Sequence, residues 1–100
     1  MAHEWVFADP PNVATYTTCK VLNEGHPILL VTHDEDDGAW QFLCGTRNDP
    51  ADGRIVGLEC IVDMDASLRE LADLPLGWRA WRYAPGLPWQ RGPTPPDRRG

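Results

Sequence analysis

Two apolar runs, Pro27–His33 and Ala39–Gly45, flank the tetrad Asp34, Glu35, Asp36, Asp37 and the glycine Gly38. This arrangement constrains the fold more than any other stretch of the chain. The continuous apolar stretch Ile28-Leu-Leu-Val31 reads as a strand buried on both faces. Asp37-Gly38 is a hairpin dipeptide, because Asp tolerates positive φ and Gly adopts it freely. The two runs are therefore expected to pair antiparallel around an acidic tip.

The remaining elements are short. Asp9-Pro10-Pro11-Asn12 cannot lie inside a helix. Before it, Trp5 and Phe7 suit a short edge strand or a packed arm. Val13–Thr17 is rich in β-formers and predicts a strand. A two-turn helix follows, with Thr18 at its N-cap, Val21 and Leu22 as anchors and Gly25 as its stop. Thr46–Gly53 is polar and turn-rich, hence an exposed loop, and Arg54–Leu58 predicts a strand. Glu59–Met64 predicts a short helix. Asp65–Leu74 predicts another, capped by Asp65, with Leu68, Leu71 and Leu74 on one face. Trp78–Tyr83, bounded by Pro75, Gly77, Pro85 and Gly86, predicts a terminal strand. The sum is an α+β fold: an antiparallel sheet of about four strands with two or three short helices on one face. Residues 1–91 form the expected single domain, and 92–100 a disordered tail rich in Pro and Arg.

Charge divides the chain. Residues 1–78 hold 14 acids against four bases, a net of −10, whereas 79–100 hold five arginines against Asp97, a net of +4. An acidic body argues against nucleic acid, which needs a basic face to displace counterions. No apolar run approaches the roughly 20 residues of a membrane helix. Three cysteines, Cys19, Cys44 and Cys60, make an odd count without close pairs. With no positively charged, apolar leader at Met1, they point to a reducing, cytoplasmic setting.

No catalytic motif is complete. His3, His26, His33 and the three cysteines lack zinc-type spacing, and Cys44 suits a buried thiol. The acidic loop fits neither register of a calcium loop, because Gly38 falls at position five when Asp34 is first. No metal or cofactor is therefore assigned. The five tryptophans are unusual for this length. Trp40 and Trp78 are expected to anchor the core. Trp81, Arg82 and Trp89 combine aromatic and arginine side chains as interface hot spots do.

From Val13 to Arg91 the chain resembles a bacterial family of small uncharacterised proteins whose wider relatives include polymorphic-toxin immunity proteins. The resemblance rests on the order Val21–Gly25, Pro27–Val31, Asp37–Phe42, the run to Leu68, and Leu74–Arg82. It implies an α+β domain that binds another protein. The reading that follows is a cytoplasmic, non-enzymatic binding module. Asp34, Glu35, Asp36 and Asp37 would meet a basic partner, and Trp81, Arg82 and Trp89 would supply burial. Two alternatives remain open: metal-dependent chemistry at Asp34–Asp37, and self-association through the tryptophans of 78–89.

Overall fold

The structure, a computed structural model, describes residues 5–45 and 50–95. The hairpin forms as expected. Strands β2 (Leu30–His33) and β3 (Trp40–Leu43) pair antiparallel, with His33 opposite Trp40 and Leu30 opposite Leu43. Gly38 takes φ +73° at the turn. Strand β1 (Ala14–Thr18) leads directly into helix α1 (Cys19–Asn23), which stops before Gly25 at φ +73°. Thr18 occupies the N-cap in extended geometry, but its hydroxyl makes no capping bond and is buried without a partner.

The sheet has six strands rather than about four, and it is mixed rather than antiparallel. Its order is β4-β1-β3-β2-β5-β6, with β4 at Gly53–Gly57, β5 at Trp78–Trp81 and β6 at Gln90–Pro93. The parallel pairing is β1 with β3. Its cause is topological: α1 carries the chain past one strand position, and β3 fills the gap on its return from the hairpin. Strand β6 escaped the sequence reading because Gln90-Arg-Gly-Pro93 has little β propensity. At an edge such a sequence is tolerated, since Pro93 need not donate to a further strand. The tail expected from residue 92 is thus corrected: Gly92 and Pro93 complete β6, and the Thr94 N–H donates to the Gly77 carbonyl at 2.8 Å. Residues 96–100 and the loop segment 46–49 lie outside the described residues, as does His3.

The helices lie on one face. Val31, Phe42 and Ala80 stand side by side in register and are completely buried. Over them pack Leu58 and Ile61 of helix α2 (Leu58–Met64), with Leu68 and Leu71 of the 3₁₀ helix Ala66–Leu71. The Asp65 cap is real: its carboxylate accepts from the Ser67 N–H at 3.0 Å. Residues 5–7 form no strand. They are a packed arm, with Phe7 buried edge-on to Trp40 at 5.3 Å between ring centroids. On the opposite face, one row crosses all six strands: Ile55, Tyr16, Gln41, Thr32, Arg79 and Gly92. None of these six is buried, so this row has no helix above it.

Candidate functional site

Asp34, at the end of β2, holds the hairpin tip together. Its N–H donates to the Ala39 carbonyl at 2.8 Å, and its own carbonyl accepts from Gly38 at 2.9 Å. The carboxylate accepts from the Gln41 amide at 2.7 Å and the Thr32 hydroxyl at 3.3 Å. Asp37 accepts from the Ala39 N–H at 3.0 Å. Asp34 is half-buried, and Glu35, Asp36 and Asp37 are exposed. Half of the tetrad, Asp34 and Asp37, is thus engaged in shaping the turn.

Beneath the tip lies an open concavity of about 380 Å³, lined by the four acids, His33, Gly77, Thr94 and Pro95. Two backbone bonds build its floor. Gly77 donates to the His33 carbonyl at 2.7 Å, and Thr94 to the Gly77 carbonyl at 2.8 Å. Gly77 has φ +80°, and a Cβ there would stand 3.4 Å from the Glu35 carboxylate, so glycine lets that side chain lie close against the chain. His33 is fixed on two sides. Its ring stacks on Trp40 at 3.9 Å and 12°, and Nδ1 bonds the Leu74 carbonyl at 2.7 Å. With a carbonyl as partner, Nδ1 must carry the proton. Among the described residues, no Lys or Arg lines the concavity. Among the described residues, no three His, Cys, Asp or Glu side chains converge as metal ligands would.

The other predicted contact residues are not gathered into one surface. Trp81 lies beside Leu30 and Trp78 beside His33, so β5 puts Trp81 three residues, or roughly 10 Å, from the hairpin end. Trp81 shares the uncovered face with Arg79, whose guanidinium sits 5.4 Å from its ring. Trp89 instead packs against the core cluster, as does Trp78. The tryptophans of 78–89 therefore form no common patch.

Arg82 corrects the sequence reading most sharply. It is 5% exposed and belongs to the interior. Nε and Nη2 donate to the Ile28 carbonyl at 3.1 and 2.9 Å, and Nη1 donates to the Ser67 hydroxyl at 3.0 Å. Nη2 also pairs with the Asp65 carboxylate at 2.5 Å. The Trp89 ring lies 4.3 Å from the guanidinium, and its Nε1 donates to Ser67. Burial pushes the Asp65 carboxyl up, but bonds from Ser67 and Arg82 outweigh it and leave the group below its ordinary range. A cleft of about 400 Å³ opens over this node, between Met64, Pro27 and Pro85. The sequence carried one signal for the node, the Asp65-x-Ser67 cap. The partner at position 82 is 15 residues beyond Ser67, with no local pattern to reveal it.

The three cysteines are free thiols. Cys44 is buried, and Cys60 is exposed on α2. Desolvation first, and then the Asp52 carboxylate 3.6 Å away, push the Cys19 thiol above its ordinary value. Compared with protein-family models, curated proteins and solved structures, the chain matches none.

Proposed function

We propose that the chain is a non-enzymatic protein-binding module that presents its acidic hairpin to a basic surface of a partner. One observation carries this reading: four carboxylates border a 380 Å³ concavity that, among the described residues, no Lys or Arg lines. Clustered carboxylates repel one another, and an incoming Lys or Arg head relieves that repulsion. Such complementarity accelerates encounter and sets register more than it adds affinity. The hairpin is also pre-organised, because Asp34 and Asp37 hold the turn before any partner arrives.

An immunity-type role is one form of this function, suggested by the resemblance of the motif order Val21–Gly25, Pro27–Val31, Asp37–Phe42 and Leu74–Arg82 to that bacterial family. A cytoplasmic setting agrees with three free cysteines. No helix among the described residues is long and apolar enough to cross a membrane. Titration of the protein with a tetra-arginine peptide, followed by NMR, is the direct test. Binding at low salt should shift the amides of Glu35–Gly38 and Gly77, and it should weaken steeply between about 20 and 200 mM salt. Unmoved hairpin amides would reject the reading. The triple variant Glu35→Gln, Asp36→Asn, Asp37→Asn should lose the response while remaining folded.

A further inference from the structure

The row Ile55, Tyr16, Gln41, Thr32, Arg79 and Gly92 has no helix above it, and Leu30 and Trp81 share its face. Arg79 is the cation of this face. Its guanidinium lies against the Trp81 ring, yet among the described residues no acid pairs with it, and its Nε is buried without an acceptor. An unpaired buried donor costs free energy, and native folds seldom leave one uncompensated. A carboxylate stands on the same face. Asp34 is held there by the Thr32 hydroxyl and the Gln41 amide, both members of the row. Tyr16 reaches over Gly53 and Trp81 over Gly92, so both rings lie along the sheet and leave its surface flat. Tyr, Trp and Arg are the residue types on which binding energy concentrates in protein interfaces.

We infer that this face is the contact surface of a two-fold symmetric dimer, in which Arg79 of each copy pairs with Asp34 of the other. The inference is independent of the partner function proposed above. An isologous contact needs a surface that complements itself. This face carries a guanidinium and a carboxylate that are not paired with each other. Arg79 on β5 and Gln41 on β3 flank Thr32 at one level of the register, and the Asp34 carboxylate lies between Thr32 and Gln41. A two-fold axis along β2, in the plane between two facing sheets, therefore exchanges the two charges and sets Trp81 of each copy facing β3 of the other. An unrelated acidic partner would answer Arg79 alone, whereas a second copy answers Asp34 as well. Six strands at about 4.8 Å and four residues at about 3.3 Å make a face of roughly 29 by 13 Å. That extent suits a reversible dimer rather than an obligate one. The net charge of −6 on each chain opposes association at long range and is screened at physiological salt.

The test is sedimentation equilibrium of the full chain from about 10 µM to about 1 mM, in about 150 mM salt. The mean mass should rise from that of the 11.2 kDa monomer toward twice that value. A monomer mass at every concentration would overturn the dimer. Arg79→Glu sets two acids against each other and should weaken association at least about tenfold. Arg79→Gln removes the charge with less disturbance of the strand and should weaken it about three- to tenfold. Near-UV circular dichroism identifies which variants keep the fold. Unchanged association in a folded variant would overturn the pairing. Amide signals that shift with wild-type concentration should be those of Thr32, Asp34, Arg79 and Trp81. Shifts confined to Met64, Tyr83 and Leu87, exposed apolar residues outside the row, would place the contact elsewhere and reject the proposal.

Discussion

The hairpin tip and the Arg82 node use the same chemistry to opposite ends. At the tip, four carboxylates line a concavity in which none of the described lining residues is a Lys or Arg. At the node, one guanidinium is enclosed by Asp65, Ser67, the Ile28 carbonyl and the Trp89 ring. A buried charge is tolerated only when its hydrogen bonds and its countercharge are supplied. Arg82 has both and is therefore structural. The exposed acids Glu35, Asp36 and Asp37 face solvent, and among the described residues only Asp37 accepts a hydrogen bond, from the Ala39 N–H, which leaves them available. Whether a charged residue serves structure or recognition is thus set by the groups that surround it, not by its type.

Mutation should separate the two regions most clearly at Arg82. Arg82→Ala removes a buried arginine and strands Asp65 and the Ile28 carbonyl. A loss of about 3–5 kcal/mol in urea unfolding is expected. In a cycle with Asp65→Ala, the double variant should lose less than the two single losses combined. A near-neutral Arg82→Ala would break the comparison, because the node would then be as dispensable as the tip.

Acid exposes the same difference. The folded-state pKa of Asp65 is depressed, so its contribution is present above the ordinary carboxyl value and is lost as pH falls through the folded value. Between pH 5 and about pH 2, wild-type stability should fall more steeply than that of Asp65→Asn. The carboxyl of Asp73 is also lowered, by its hydrogen bond from Arg91 and the attraction of that charge. That pair is exposed, so Asp73→Asn should leave the acid profile close to wild type.

Smaller effects refine the contrast. Gly38→Ala forces a side chain into positive φ at the tip and should cost about 1–2 kcal/mol, read by thermal unfolding. It would test how far the shape of the turn, rather than its charge, matters for peptide binding. Trp89→Phe keeps a ring beside Arg82 but deletes the donor to Ser67, for about 1 kcal/mol. Last, the Glu35, Asp36 and Asp37 amide variants should change stability by no more than about 0.5 kcal/mol. A large loss there would mean that the tip, like the node, is structural.

Much of the local structure was legible. Asp37-Gly38 marked the hairpin, Gly25 ended α1, Asp65 capped its helix, and Leu68, Leu71 and Leu74 marked one buried face. Each of these rests on residues a few positions apart. The tetrad was also visible, because four acids in succession need no fold to be noticed. Three features were not legible. The parallel pairing of β1 with β3 depends on which gap the returning hairpin fills. Strand β6 is held by its neighbour β5 rather than by its own propensity. Arg82 meets Ile28 across 54 positions, and no spacing rule reaches that far.

The sequence by itself determined the hairpin, the short helices, the acidic tip and the division into an acidic body and a basic end. These follow from φ preferences, hydrophobic periodicity and charge, all of which act locally or can simply be counted. Only the tertiary structure decided that the tip overhangs a concavity, that the chain leaves β6 inside it, and that Arg82 belongs to the interior while Trp81 faces outward. Those outcomes depend on which distant backbone carbonyls and side chains become neighbours. Desolvation energies are set by those neighbours and not by position along the chain.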